Sequence, residues 1–327
     1  MKQHVLLSLF AGYGGSRLSA QFAGLKIKKE YASEVNKSAI AVMKHNHPDI
    51  ILVGDVRNLK PEDFLDATLI TAGSPCPDFS FCGKKKGMVT KDENIEILTL
   101  VHYQQLVSEG FEFKGESYLF WEFIRLYYGI RDLQIKMGLP VLNFMLENVK
   151  MIKKWENVIS DALGVKPILF DAAVVWGQSR VRLFWIDIDG VTIPEDRGIT
   201  IGDLIKGADN GTGFRGRMGD NGKYYYPQTI RKDNKSNCLL TSLGNITKKT
   251  GEMHGTGFYT TKRGNVKMLT ITEAETLQGL DKGYTNVKGV SDTARIQMIG
   301  NGWCIPVTGH IMSFFKKNRK VLKSKKI

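Results

Sequence analysis

Short, almost wholly apolar runs alternate with helical spacing along this chain, and several of the runs end on residues able to do chemistry. Val5 to Phe10, Ile27 to Ala32, Ile50 to Val53, Thr68 to Ala72 and Val141 to Leu146 have strand length and little polar character, the pattern of strands buried inside a sheet. Helical spacing is found over Ser16 to Gly24, Lys37 to His45, Ser117 to Arg131 and Thr272 to Gln278. Such alternation predicts an open α/β sheet, in which ligands bind in the crevice at the carboxyl ends of the strands.

Those ends carry the candidates. The first strand runs into Ala11-Gly12-Tyr13-Gly14-Gly15, a turn that lets a cofactor approach the backbone and leaves a helix N-terminus open. A dinucleotide fingerprint needs a third glycine where Arg17 stands, which counts against a nicotinamide cofactor. Glu34 follows Gly12 by twenty-two residues, a spacing suited to an acid that accepts from ribose hydroxyls, and Asp55 closes the third strand. Together these suggest a nucleoside cofactor, although a structural turn with a surface glutamate fits the same residues.

The fourth strand delivers Gly73-Ser74-Pro75-Cys76-Pro77-Asp78-Phe79-Ser80, whose prolines fix the backbone around a cysteine placed for nucleophilic attack. An ordinary buried cysteine in a proline turn is the alternative. Phe81 to Asp92, rich in glycine and lysine, is expected to be a mobile loop over the crevice. Glu147-Asn148-Val149 ends the fifth strand, where burial should raise the Glu147 pKa and let it donate a proton near neutrality. Gln178 to Trp185 alternates strictly, which predicts a strand with Gln178, Arg180 and Arg182 on one face, suited to an anionic or carbonyl-bearing ligand. The aromatics between Ser117 and Arg131 read as helix core. Ile299 to Val307 reads as a turn entering a last helix.

Charge is concentrated. The net +13 comes from 46 basic and 33 acidic residues, and residues 316 to 327 alone hold seven of the basic ones. Residues 209 to 267 hold eleven basic against four acidic residues, ten glycines, Tyr224-Tyr225-Tyr226 and Phe258-Tyr259. A glycine-rich, basic, aromatic segment is what a module tracking a nucleic-acid groove requires, so residues 187–268 are expected to form a loop-rich small domain. No apolar run reaches membrane-spanning length. With no secretory cleavage pattern at the start, a cytoplasmic protein is expected. Cys76, Cys82, Cys238 and Cys304 show neither disulfide-framework density nor paired metal-ligand spacing, so reduced thiols and no metal are expected.

In this order the motifs resemble the cytosine C5 DNA methyltransferase family, over nearly the whole chain outside the small domain. The resemblance implies a Rossmann-like S-adenosylmethionine methyltransferase sheet with helices on both faces (residues 1–186 and 269–327) and a target-recognition domain (187–268). Phe10-Ala11-Gly12-Tyr13-Gly14-Gly15 is similar to the first family motif, implying S-adenosylmethionine at Phe10, Ala11, Gly12, Gly14 and Gly15. Glu34, Asp55, Val56, Pro75, Asn301 and Trp303 are implied to complete that pocket. Pro75-Cys76 resembles the catalytic proline-cysteine pair, Glu147-Asn148-Val149 the Glu-Asn-Val motif, and Gln178-x-Arg180-x-Arg182 the Gln-x-Arg-x-Arg motif. Thr272 to Gly279 resembles the ninth motif and Gly300-Asn301-Gly302-Trp303 the tenth.

The implied reaction adds Cys76 to C6 of a flipped-out cytosine while Glu147 engages N3, with Arg180 and Arg182 holding the carbonyl oxygen and a phosphate. Ser80, Lys84, Lys85, Asn148, Gln178, Arg215, Arg217, Arg231 and Lys232 are the implied contacts to double-stranded DNA. The implied enzyme is a monomer of bacterial or phage type, with or without a cognate restriction endonuclease. An RNA-modifying enzyme of the transfer-RNA type and a catalytically silent DNA-binding relative are the alternatives. The chain departs from the common pattern at Ser74 and Pro77, which flank the proline-cysteine pair where proline and glutamine are usual, a form closer to the animal de novo type. It departs again at Trp303 and Cys304, where small residues are usual, and in a longer segment over residues 84–115.

Overall fold

The computed structural model describes residues 3–75, 87–214, 217–218, 224–225, 228–230, 233–246 and 253–316. Its first half alternates strand and helix as the sequence leads one to expect: β1 (Gln3–Leu9), α1 (Gly15–Phe22), β2 (Lys26–Ser33), α2 (Lys37–Asn46), β3 (Ile51–Gly54) and β4 (Leu69–Gly73). Then come α3 (Leu100–Ser108), α4 (Phe120–Lys136), β5 (Asn143–Val149), α5 (Lys153–Leu163), β6 (Ile168–Asp171) and β7 (Val181–Ile186). The seven strands form one sheet in the order β3-β2-β1-β4-β5-β7-β6. β1 to β5 pair in parallel, whereas β7 runs antiparallel to both neighbours. The chain therefore folds as a Rossmann-like α/β sheet with one reversed strand.

Strand parity distributes the core. In β5, Phe144 and Leu146 point into a cluster with Trp121, Phe123 and Ile124 of α4 and Trp155 and Ile159 of α5. Met145 points the other way, into a cluster with Ala20 of α1 and with Val307, Ile311 and Met312 of the last helix. Both faces of the sheet are thus covered, and the α4 aromatics are core, as their spacing predicts. Glu147 shares the parity of Met145, so it faces the second layer.

Arg17 has a structural task. Buried in α1, it donates from Nε to Glu30 of β2 at 2.8 Å and from a terminal nitrogen to Asp49 at 2.8 Å, while Ser8 of β1 donates to the same Glu30 at 2.6 Å. The position that argues against a dinucleotide turn is taken by an ion pair joining the first helix to the sheet.

Residues 187–268 are more regular than their composition suggests. After α6 (Ile201–Leu204) come β8 (Ala208–Phe214), β9 (Arg217–Met218), β10 (Tyr224–Tyr225), β11 (Gln228–Ile230), β12 (Asn245–Ile246), β13 (Met253–Thr261) and β14 (Val266–Met268). β8 and β13 are the long central pair of a five-stranded antiparallel sheet, and β9 and β10 form a separate ribbon. Three helices follow: α7 (Ile271–Leu277), α8 (Asp292–Asn301) and α9 (Ile305–Ser313). Ile299 to Asn301, expected as a turn, close α8; Ser291 caps that helix by accepting from the Ala294 amide. Leu239, Leu243, Tyr259 and Leu269 share one hydrophobic cluster with Ala274 and Leu277 of α7 and Ile299 of α8. Among the described residues no helix is long and apolar enough to cross a membrane.

Replacing Arg17 by methionine leaves a carboxylate buried without its partner. Urea unfolding should show a loss of about 3–5 kcal/mol, the magnitude for breaking a buried pair from one side.

Candidate active site at the carboxyl edge of the sheet

The register of β4 on β5 sets Glu147 beside Gly73, and the antiparallel register of β7 on β5 brings Arg182 to the same face two residues further on. Arg182 Nε lies 3.0 Å from Glu147 Oε1, and the Trp303 side chain hydrogen-bonds the same carboxyl. Glu147 is 8 % exposed. Burial pushes its carboxyl above the usual range; Arg182, Arg180 and the Trp303 hydrogen bond pull the other way without cancelling it. An acid so placed holds its proton to higher pH than an exposed carboxyl does, which favours donation to a ring nitrogen.

Arg180 and Gln178 precede β7 instead of lying within a continuous strand. The backbone leaves the main sheet there: Gln178 bridges to Ser236, and Asp171 accepts from the Arg180 amide at 2.8 Å. Arg180, 3 % exposed, donates from one terminal nitrogen to the Leu239 carbonyl (3.0 Å) and from the other to the carbonyls of Gly300 (2.9 Å) and Gly302 (2.8 Å). Its Nε is buried with no hydrogen-bond partner among the described residues, and Arg180 lines one small cleft with Glu147 and Arg182. Gln178 is fully buried, donating to the Leu277 carbonyl (2.8 Å) and Gln278 Oε1 (3.1 Å) and accepting from the Leu239 amide (3.1 Å). Asn148, also buried, donates to the Ser74 hydroxyl (3.0 Å) and carbonyl (3.3 Å). Gln178 and Asn148 thus face inward, bracing the site's frame.

On the other side of β4, the β1–α1 turn is open. Phe10 adopts a left-handed conformation (φ 55°), rare for a bulky residue and a mark of functional constraint. Gly12 is left-handed too, and the direction a side chain would take from it is empty space. Its amide donates to Glu34 Oε2 (2.8 Å), while Val35 and Asn36 donate to Oε1 (both 2.8 Å). Three backbone donors leave Glu34 about one free acceptor position. Asp55 accepts from the Arg57 amide and pairs with its guanidinium, which holds the carboxyl below the usual range. Ala11 and Val56 are buried beside the turn, Gly14 caps α1 and Gly15 opens it. Pro75 is half-buried at the β4 tip. Asn301 is exposed at the end of α8.

Trp303 joins the two sides. Its ring lies against Gly15 and Gly73, and a methyl group on Gly73 would meet the indole nitrogen at 2.7 Å. Tyr13, to which the sequence reading gives no role, donates to the Trp303 carbonyl at 2.6 Å, and Gln278 donates to the carbonyls of Ile299 (2.6 Å) and Gly302 (3.2 Å). Only the turn position of Tyr13 hints at this bond. Asp171 is likewise missed, although its place at the end of an apolar run is a signal.

Cys76, Ser80, Lys84, Lys85, Arg215, Arg231 and Lys232 lie outside the described residues, as does the side chain of Arg217. Within the expected mobile loop, Met88, Val89 and Thr90 are buried, with bridges from Val89 to Glu96 and Thr90 to Phe113, so that end is packed. Cys238 and Cys304 are free thiols, and burial pushes Cys304 up to about 12.

A parallel sheet with one reversed strand, a glycine turn at its first tip and a buried acid with two arginines further along defines an α/β methyltransferase. Residues 5–163 match the C-5 cytosine-specific DNA methylase family. The Type II methyltransferase M.Bsp6I of Bacillus sp. (strain RFL6) is 26% identical over 341 residues, spanning 94% of this chain and 96% of that protein. Two solved structures share the fold. One is an Entamoeba histolytica methyltransferase, EhMeth, with TM-score 0.65 and 15% identity, covering 98% of this chain and 100% of that one. The other is a substituted DNMT2 of Spodoptera frugiperda, with TM-score 0.63 and 16% identity, covering 96% and 100%. These matches support the cytosine C5 DNA methyltransferase family for this chain, which is a methyltransferase enzyme.

The raised carboxyl of Glu147 binds its proton more readily in the folded chain than in the unfolded one. Its contribution to stability is complete in acid and is lost as pH rises through the folded-state pKa. Glu147→Gln removes that dependence. Denaturant unfolding across pH should therefore show the variant gaining on the wild type as pH rises above the ordinary carboxylate range.

Proposed function

We propose that this enzyme transfers a methyl group from S-adenosylmethionine to C5 of a cytosine flipped out of duplex DNA, through a covalent bond to Cys76. The observation that carries this reading is the buried Glu147, held by Arg182 beside the β4 tip that leads through Pro75 to Cys76. Cytosine is a weak nucleophile at C5. Thiolate addition to C6, with Glu147 donating to N3, places electron density on C5. Once C5 carries the methyl group, loss of its proton and cleavage of the sulfur–C6 bond restore the aromatic ring. Arg180, whose Nε is buried without a partner among the described residues, and Arg182 line the same cleft and would stabilise negative charge on the base carbonyl. The base must leave the helix to reach them.

S-adenosylmethionine fits the β1–α1 turn on structural grounds. The open side of Gly12 and the left-handed Phe10 leave room for a ligand against the backbone, and Glu34 keeps an acceptor position for a hydroxyl. When bound, this cofactor supplies an electrophilic methyl group on a sulfonium. Phe10 to Gly15, Glu34 and Trp303 would hold it.

The same reading assigns residues 1–186 and 269–327 to catalysis and 187–268 to target recognition, with the basic segment against the phosphates. The glycine-rich basic insertion favours DNA over RNA.

Bisulfite sequencing of plasmid DNA from a methylation-free bacterial host expressing the chain, beside a Cys76→Ala control, tests the proposal. Protected cytosines in one repeated context are expected, with transfer lowered at least ~10³-fold in the control while cofactor affinity is nearly unchanged. Soluble protein that protects no cytosine in DNA, but methylates RNA, would move the substrate to the RNA class. Equal loss of cofactor binding and transfer in the control would remove Cys76 from the role of nucleophile.

A further inference from the structure

The α8–α9 turn reaches the acid of the site through a single large side chain. Trp303 is 9 % exposed and wedged between Gly73 at the β4 tip and Gly15 at the start of α1. At Gly73 the indole nitrogen and Glu147 Oε2 stand 2.7 and 3.4 Å from the position a Cβ would take, so any side chain there would part the ring from the acid. At Gly15 the same test meets the other edge of the ring at 3.5 Å. The main chain around the ring is held from three directions. Tyr13 donates to the Trp303 carbonyl, Arg180 to Gly300 and Gly302, and Gln278 to Ile299 and Gly302. A donor so fixed has little freedom to follow a wandering carboxyl.

We propose that Trp303 is a positioning residue for Glu147: its indole N–H, locked between Gly15 and Gly73, fixes the direction of the carboxyl that engages the base. The proposal rests on the reading of Glu147 as the acid facing the cytosine. The division of labour around the carboxyl follows from geometry. Arg182 holds Oε1 from the β7 side, and the indole holds the carboxyl from the α8–α9 side, so the acid cannot rotate without losing one partner. The charged and titratable groups facing Glu147 are Arg182 and Arg180 from the β7 side, Tyr13 from the β1–α1 turn and Cys304 beside Trp303. The indole is the neutral group that donates to the carboxyl itself. It can fix the direction of the acid without adding a charge that would hold it ionised.

The contact also couples two halves of the reaction. The ring that meets Glu147 at one edge meets the cofactor turn at the other, so a ligand pressing on Gly15 would press on the donor to Glu147.

The test uses the full chain and does not depend on turnover alone. The chain has five tryptophans, so the emission of Trp303 is obtained by subtracting a Trp303→Phe variant from the wild type. That difference should titrate with pH in the wild-type background and should be flat when both proteins also carry Glu147→Gln. A flat difference in the wild-type background, or one that still titrates with Glu147→Gln, overturns the proposal. Transfer assays form the second arm. Trp303→Phe should lower turnover roughly 10- to 100-fold, the loss of one hydrogen bond to a charged group, with a smaller change in KM for DNA. The alkaline fall in rate should shift to higher pH, because an acid deprived of a donor holds its proton longer. Trp303→His, which keeps a ring N–H, should recover part of the rate and serves as the working variant if Trp303→Phe fails to fold. Wild-type rate and pH profile in Trp303→Phe overturn the positioning role. If the wild type methylates no nucleic acid, the functional reading fails, while the emission titration still decides the contact.

Discussion

A buried guanidinium that meets main-chain carbonyls and, among the described residues, no carboxylate holds this enzyme's site together. Arg180 satisfies its two terminal nitrogens with three main-chain carbonyls, from Leu239 in the inserted segment and from Gly300 and Gly302 at the end of α8. A permanent charge in such a place is tolerated because each terminal nitrogen is met by an oxygen and because Glu147 lies close enough to feel it. Three stretches far apart in sequence thereby acquire fixed positions around the reversed strand of the sheet. Lysine could not do the same, since a point ammonium cannot span carbonyls on two sides.

Glu147 depends on that frame. Its acidity reflects two opposed effects, burial raising the pKa and the arginines with the indole lowering it. Each of these neighbours comes from an element that Arg180 helps to hold. Moving the α8–α9 turn would change the burial and the hydrogen bonding of the acid together, so the chemistry of the site and the packing of the last helices are one problem.

Much of this was legible in the sequence, for identifiable reasons. Strand tips declare themselves when an apolar run stops at glycine, proline or an acid, and Glu147, Asp55 and the glycine turn all stand at such stops. Partners were less legible. Backbone amides carry no sequence label, so nothing marked Gly12, Val35 and Asn36 as the donors that occupy most of Glu34. Alternation over Gln178 to Trp185 was real, but it could not reveal that Gln178 and Ser179 pair with Ser236 and leave the sheet. The inserted segment looked irregular because glycine and charge hide a period of two; the long pairing of β8 with β13 comes from partners more than forty residues apart. In α8, a polar sequence closed by a cap at one end was outweighed by the glycines of its final turn.

The shared cluster of Leu239, Leu243 and Tyr259 with Ala274, Leu277 and Ile299 has a consequence for how such enzymes diversify. An inserted segment that contributes half of a common core cannot be traded between relatives as a cassette cut at the ends of its own strands. An exchange of that kind would strip apolar surface from α7 and α8, and through α8 it would loosen the carbonyls that Arg180 grips. Grafts that carry the two helices with the segment keep the seam intact. Substitution is therefore tolerated most safely at strand ends and loops that point away from the seam, where it leaves α7 and α8 undisturbed.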